Sequence, residues 1–447
     1  MIIVKILKSF RRRGIRGTLS KIKRWILANI YRSDFSADAK NKIDFYKRKS
    51  KNHYSQALKM VGWLFVSLFR RYESDKKNIN VDLRESLTIE DFDKESSKLN
   101  VGFLFGGGYG DLLIAANYIK KFKDKFSDVE IDVFIQDHNG QIGAANTIFF
   151  DGLIIRHLYP KLGYEAMFGK YDLFIQCNRV PNAKYVRFNR LAELNPELLA
   201  FYFQLEKYKK TNERYYSHAG ITDGQSAITC IMHNKKRIQQ SDVYGLLGIS
   251  EEYEYPLPIN VDENEYLSSI GLNNCKYITV HRGSDVRYSK DSTKLWPTEY
   301  YNILIKMIKK QYKDVAIVEL GVSEDRCPIF SNIDVNLVGK TTMEEVKVIL
   351  KKSLIHIDCE GGMVHLRHAL KAGKSIVVFG PTDERFFGYE ENYNVRGNGC
   401  ASPCEWVVRG WNVECIRGKI PFCMASITPE TVFGYVQKEM GFINGER

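Results

Sequence analysis

The chain has 447 residues, of which 44% are hydrophobic, so it is long enough for two domains with real cores and an extension. Its formal net charge of +13 comes from one segment, because residues 1–71 contain 19 Lys and Arg against 3 Asp and Glu. The remainder contains 47 Lys and Arg against 50 Asp and Glu, so this part of the chain has no excess of positive charge for binding a nucleic acid. We therefore expect no nucleic-acid partner.

Residues 1–95 are predicted to form a basic, largely helical extension that ends in a polar linker. Its stretch 10–32, FRRRGIRGTLSKIKRWILANIYR, alternates cations with Ile, Leu and Trp, which fits either a membrane-surface helix or a protein-binding arm. The apolar run at 60–69, MVGWLFVSLF, is about half as long as a membrane-spanning helix. No secretory signal is recognised at the N-terminus, so we expect a cytoplasmic protein that docks on the anionic inner face of a membrane through residues 1–71.

Strands and helices alternate from about residue 98. VGFLFG predicts a buried strand, and it leads into FGGGYGDLLIAANYIKKF at 105–122, which has helical spacing of apolar residues. The turn contains Gly106, Gly107, Gly108 and Gly110, which let a ligand approach the backbone of a helix start that favours anions. Asp111 follows in the first helical turn, where an acid is either a helix cap or a catalytic group.

The rest of the first array contains three more candidate strands, with the sequences VEIDVFIQ, LIIRHLY and YDLFIQC. Residues 190–250 read as helical and charged, and HNKKRIQQSDVYGLLGIS predicts a helix that ends at Gly248. The prolines and acids of YEYPLPINVDENEY are typical of a connection between domains.

A second alternating array follows. Its strands are predicted in CKYITVHRG, DVAIVELG, LIHIDCEGG and SIVVFGPT. Its helices are predicted in PTEYYNILIKMIKKQ, TTMEEVKVILKKS (with a T-x-x-E capping box), MVHLRHALKAG and ITPETVFGYVQKEMG. Two such arrays predict an α/β protein with two Rossmann-like domains, 96–258 and 259–447, that face each other across a cleft.

Ligands of parallel sheets bind at the carboxyl ends of the strands, where the unusual turns of the second array lie. Lys294 precedes a helix start and suits phosphate groups, and His365 is either a core histidine or a ligand-binding group. The residues that we expect to bind a ligand in this half are Ser284, Lys294, Gly339, Asp358, Glu360, Gly361, Gly362, His365 and Thr382.

Four cysteines cluster near the C-terminus. They are Cys400, Cys404, Cys415 and Cys423, and their spacing is not a standard zinc spacing. A structural metal site, packed thiols and disulfides all fit this pattern.

In order, the turns resemble glycosyltransferase family 9, the bacterial heptosyltransferase type. The motifs that carry the resemblance are GYGDLL, HRGSD followed by KLWP, VELGVSEDR, LVGKTTMEE, D-x-E-G-G-x-x-H-L, VVFGPTDER and the C-terminal cysteines before ITPE. The resemblance extends over about residues 100–440. It implies the GT-B fold and the inverting transfer of a sugar from a nucleotide donor, often ADP-heptose, without a required metal.

By this resemblance Asp111 is the general base, and Lys294 lies near the donor phosphates. Asp358, Gly361, Gly362 and His365 match the donor-binding helix start, and Thr382 matches the adjacent turn. The sequence departs from the family at DCEGGMVH, which has two extra residues before His365, and in the basic extension.

The expected function is transfer of a sugar, heptose by resemblance, to a cell-envelope glycan or lipid-linked acceptor, as in lipopolysaccharide biosynthesis. Two alternatives stay open at this stage. One is a protein O-glycosyltransferase of the same fold, and the other is a catalytically silent scaffold that binds nucleotide-sugars.

Overall fold

The structure is a computed structural model. It describes residues 98–136, 141–160, 168–177, 181–211, 233–282, 292–322, 330–400, 403–406, 411–412, 414–415, 417 and 421–445. The predictions for the extension, 1–95, and for Ser284 lie outside these residues. Within the described residues, no helix is long and apolar enough to cross a membrane.

The first sheet has five strands in the order β3-β2-β1-β4-β5. Their bounds are β1 (Leu99–Phe105), β2 (Val129–Ile135), β3 (His157–Pro160), β4 (Leu173–Gln176) and β5 (Asn182–Val186). All neighbours pair in parallel except β4 and β5, which are antiparallel. The helices of this half are α1 (Tyr109–Lys125), α2 (Gln141–Ala145), α3 (Phe188–Leu194) and α4 (Pro196–Thr211).

The second sheet has six parallel strands in the order β11-β10-β9-β6-β7-β8. In chain order they are β6 (Lys276–His281), β7 (Val315–Leu320), β8 (Val335–Asn336), β9 (Ile355–Cys359), β10 (Ser375–Phe379) and β11 (Tyr393–Arg396). The helices are α5 (Glu263–Ser269), α6 (Thr298–Gln311), α7 (Met343–Lys352), α8 (Gly362–Ala369), α9 (Glu384–Phe387), α10 (Phe422–Ala425) and α11 (Pro429–Ile443).

Two parallel-sheet arrays were expected, and the structure confirms them. Both sheets belong to one compact unit that spans Val81–Tyr215 and Thr222–Arg447. The domain boundary near residue 258 stays a prediction.

One predicted helix is wrong. The segment before Gly248 forms only a 3₁₀ helix, Arg237–Asp242, and the chain then continues without regular structure. The Asp242 carboxylate accepts hydrogen bonds from the Leu247 and Ile249 N–H groups, so it fixes a loop where the sequence pattern indicated a helix. Gly248 has φ +67°, which suits this loop.

Local signals explain several helix starts. The predicted capping box at the start of α7 is present, because the Thr342 hydroxyl accepts from the Glu345 N–H and the Glu345 carboxylate accepts from the Thr342 N–H. Asp262 and Thr428 cap α5 and α11 by accepting the Glu265 and Thr431 N–H groups through their side chains.

A single apolar cluster contains residues of both halves, including Leu112 and Tyr118 of α1 and Val364 and Leu366 of α8. Helices α1 and α8 follow β1 and β9, the strands that precede the two glycine turns. The two helix starts meet at Gly110 and Gly362. A Cβ atom on Gly362 would lie 3.3 Å from the Gly110 nitrogen, and a Cβ atom on Gly110 would clash with the His365 ring.

Replacement of Gly110 by alanine should therefore destabilise the protein. We expect Gly110→Ala to lower the free energy of unfolding by about 1–3 kcal/mol, since the added methyl group displaces His365 or separates the two helices. Thermal or urea unfolding would measure this loss.

The matched control is Gly434→Ala in α11, where the added Cβ would have no atom of the described residues within 4 Å apart from the adjoining helix backbone. This change should be neutral or stabilise by up to about 1 kcal/mol through helix propensity. Equal stability of the two variants would contradict the close contact of α1 with α8.

Candidate active site

The candidate site lies where the two glycine turns meet. Helix α1 starts after Gly106–Gly108, and α8 starts after Gly361, at the carboxyl ends of β1 and β9. The first N–H groups of an α-helix have no partner within the helix, and they favour anions. The contact of Gly110 with Gly362 therefore brings two such helix starts together.

Asp111 lies in the first turn of α1 with both carboxylate oxygens engaged. Oδ2 accepts the Gly108 N–H at 2.7 Å, so Asp111 does cap its own helix. Oδ1 accepts from Arg237 Nη2, and the Asp111 side chain is still 38% exposed. Gly107 has φ +128°, and a Cβ atom there would clash with the Asp111 carboxylate. The cap and catalytic interpretations are thus compatible, because a carboxylate has lone pairs for further hydrogen bonds.

His365 is buried one turn inside α8, against the start of α1. Burial, together with the nearby Arg237 cation, lowers the pKa of His365 to about 3, so the imidazole is neutral at ordinary pH. Its Nδ1 lies 2.6 Å from the Tyr389 hydroxyl. When that hydroxyl donates to Nδ1, Nε2 carries the imidazole proton and is a hydrogen-bond donor.

Lys294 lies in the loop before α6 and forms an ion pair with Glu360, the residue that follows the end of β9 by one position. Burial alone would lower the pKa of Lys294, but the Glu360 carboxylate raises it above the ordinary value. Glu405 is fully buried beside this pair, and burial and the Glu360 charge raise the pKa of Glu405 to about 8. The predicted residues Lys294 and Glu360 are therefore adjacent.

Asp358 is placed differently from the other predicted residues. It is fully buried in β9, and its Oδ2 lies 2.9 Å from His281 Nδ1 and 3.4 Å from His356 Nε2. Burial would raise the pKa of Asp358, but His281 and His356 lower it to about 2. Its carboxylate is thus held inside the sheet by two imidazoles.

Gly339 and Thr382 lie in two other turns of the same sheet. Gly339 has φ +70°, and its N–H donates to the Gly321 carbonyl at 2.8 Å, so it shapes the turn after β8. Thr382 follows β10 and is fully buried, and its hydroxyl has no hydrogen-bond partner within the described residues. A buried hydroxyl of this kind is suited to a ligand or an ordered water.

The metal interpretation of the four cysteines is not supported. Cys400, Cys404, Cys415 and Cys423 are all free thiols. In the part of the chain that the structure describes, no group of three or more His, Cys, Asp or Glu side chains could hold a metal ion. The cysteine-rich segment instead supports the site, since the Glu405 N–H donates to the Pro381 carbonyl at 3.2 Å and the Thr293 N–H donates to the Asn412 carbonyl at 3.4 Å.

Sequence reasoning missed Arg237, Tyr389 and Glu405. Arg237 lies in a segment whose sequence predicts a charged helix. Glu405 lies among cysteines whose clustering suggests a metal site. A signal for Tyr389 was absent, since an aromatic residue in a polar loop is common.

Residues 261–409 match the family model of glycosyltransferase family 9 (heptosyltransferase). The match covers Lys294, the turn from Asp358 to His365, Thr382 and Glu405, and it confirms the resemblance that the motifs indicated. No curated protein matches the sequence at a significant level.

Solved structures confirm the GT-B fold. A glycosyltransferase of family 9 from Veillonella parvula is 14% identical, covers 78% of this chain and 99% of its own, and has a TM-score of 0.50. The iron-containing dodecameric glycosyltransferase TibC from enterotoxigenic E. coli is 12% identical, covers 77% of each chain and has a TM-score of 0.51.

One buried acid near this site should make stability depend on pH. Glu319 at the end of β7 is 2% exposed and accepts the Phe330 N–H at 3.1 Å, and burial raises its pKa from 4.5 to about 7. A carboxyl with a raised folded-state pKa stabilises the fold fully below pH 4.5 and loses this contribution as the pH rises through 7. Glu319→Gln keeps the acceptor without the charge, so it should gain about 3 kcal/mol over wild type between pH 4.5 and 8.

Urea unfolding at several pH values measures this difference. The exposed Glu193→Gln in α3 serves as the control and should follow the wild-type pH profile. Parallel profiles for wild type and Glu319→Gln would contradict the raised pKa.

Proposed function

We propose that this protein is an inverting glycosyltransferase that moves a sugar, heptose by its family, from a nucleotide donor such as ADP-heptose to a cell-envelope glycan or lipid-linked acceptor. One observation carries the proposal: Gly110 contacts Gly362, so that Asp111 in the first turn of α1 lies beside the start of α8. The family match of residues 261–409 supports the donor chemistry.

The proposed reaction needs a base on one side and an anion site on the other. Asp111 takes the proton of the acceptor hydroxyl as its oxygen attacks the anomeric carbon from the face opposite the nucleotide. The bond between the anomeric carbon and the phosphate oxygen breaks, and the nucleoside diphosphate leaves with the electron pair. The proposed base lies in α1 and the proposed anion site is the start of α8, and the starts of these two helices are in contact.

The charge of the leaving diphosphate is balanced by protein groups in this proposal. These are the N–H groups at the start of α8, the neutral His365 as a donor through Nε2, and Lys294. TibC is iron-containing, and among the described residues of this chain no group of three or more His, Cys, Asp or Glu side chains could hold a metal ion. The proposed steps are assigned to the protein groups named above.

The first test measures donor binding and turnover in wild type and Asp111→Asn. Calorimetry with ADP-heptose and a panel of UDP-sugars should identify a donor that binds both proteins. Turnover of that donor should fall by about 10²–10⁴-fold in Asp111→Asn, since the general base is lost. If no donor of the panel binds either protein, the proposed function is contradicted.

The matched control is Asp124→Asn, at the far end of the same helix, where the carboxylate is 46% exposed and pairs with Lys120. This variant should keep wild-type turnover. Equal losses in both variants would indicate that α1 is merely destabilised.

We also propose that the protein acts in the cytoplasm, at the inner face of the membrane, through its basic residues 1–71. Clusters of Lys and Arg contribute about 1 kcal/mol each near an anionic surface. The full-length triple variant with Arg11, Arg12 and Arg13 replaced by glutamine should bind vesicles containing 30% phosphatidylglycerol about 100-fold more weakly than wild type. Vesicle sedimentation measures the affinity.

The control replaces Lys309, Lys310 and Lys351 by glutamine, on helices of the second half, and should leave binding unchanged. Phosphatidylcholine vesicles should bind neither protein. Equal sedimentation with neutral and anionic vesicles would contradict an electrostatic attachment.

A further inference from the structure

Arg237 is a buried cation to which the steps of the proposed reaction assign no role. Its side chain is 10% exposed, and its Nη2 donates to Asp111 Oδ1. Its Nη1 donates to Gln240 Oε1, one turn further along the same 3₁₀ helix, so the guanidinium is held from both sides. The proposed base is thus paired with a cation that is itself held in place.

The same guanidinium also acts on the donor side. The Arg237 charge is, after burial, the largest cause that lowers the pKa of His365. His365 belongs to α8, whose start is the anion site for the donor, and its ring contacts Gly110 beside Asp111. Arg237 therefore contacts Asp111 and is near enough to His365 to act on it electrostatically.

Proton transfer changes what Arg237 has to balance. In the ground state the Asp111 carboxylate is charged and holds Arg237. When Asp111 takes the acceptor's proton it becomes neutral, and at the same moment the diphosphate gains negative charge. A charge-assisted hydrogen bond is about twice as strong as a neutral one, so the guanidinium then gains by bonding to the diphosphate.

We propose that Arg237 is a catalytic residue of this chain, which passes from the Asp111 carboxylate to the leaving diphosphate during sugar transfer. This inference rests on the proposed function. The step is balanced: the proton moves from the acceptor hydroxyl to Asp111, the electron pair leaves with the diphosphate, and Arg237 keeps its charge. The interaction is stronger in the transition state than in the ground state, which is the condition for acceleration.

Binding of the product-like anion tests the proposal without turnover. ADP, UDP and inorganic pyrophosphate are titrated by calorimetry into wild type, Asp111→Asn, Arg237→Gln and the double variant. Asparagine imitates the neutral, protonated Asp111, so Asp111→Asn should bind the diphosphate about tenfold or more tightly than wild type. The double variant should lose this gain, whereas Arg237→Gln alone should bind about as wild type does.

The control for a general loss of positive charge is Lys236→Gln. Lys236 precedes Arg237 but pairs with Glu251 and Glu390, so it should leave the gain of Asp111→Asn intact. Thermal melting verifies that each variant is folded. If the double variant is unfolded, Arg237→Lys in the Asp111→Asn background replaces it and should retain part of the gain, because a lysine keeps the charge without the guanidinium geometry.

Two results would overturn the role of Arg237 and leave the proposed function standing. One is diphosphate binding by Asp111→Asn no tighter than by wild type, and the other is a gain that persists in the double variant. Absence of binding of ADP, UDP and pyrophosphate to every variant, wild type included, would instead overturn the donor site itself.

Discussion

The contact between two glycines holds the candidate site together. Gly110 and Gly362 have no side chains, so the starts of α1 and α8 approach until a Cβ atom on either residue would touch the other helix start. Everything else in the site depends on this approach. Asp111 comes near α8, His365 contacts the start of α1, and the apolar cluster continues from one sheet to the other.

Charge in the site is arranged as pairs and not as a surplus. Asp111 pairs with Arg237, and Glu360 pairs with Lys294. Buried charges without partners are strongly unfavourable, so each of these charged groups lies beside one of opposite sign. In the proposed inverting transfer these pairs exchange partners, because the reaction neutralises one carboxylate as it creates a new anion.

The fold could be predicted from sequence because its signals are local. Apolar strands that end in glycine turns and continue as amphipathic helices identify the β1–α1 and β9–α8 units, and the family motifs identify the donor half. Arg237 could not be found in this way, since it lies 126 positions from Asp111 and joins it only in the folded chain.

Asp358 shows the opposite difficulty. Its motif suggested a donor ligand, but two histidines of neighbouring positions in the sheet surround its carboxylate. The thiols near the C-terminus suggested a metal, whereas the backbone around them positions Glu405 and supports the Lys294 loop.

The shared apolar cluster has a consequence for motion. Tyr109, with its hydroxyl 3.0 Å from Thr147, packs against a core that also contains Val364 and Tyr389. Separating the two sheets would expose this apolar surface to water, at about 25 cal/mol per Å². The two halves are therefore coupled through a shared core, like the parts of a single folding domain.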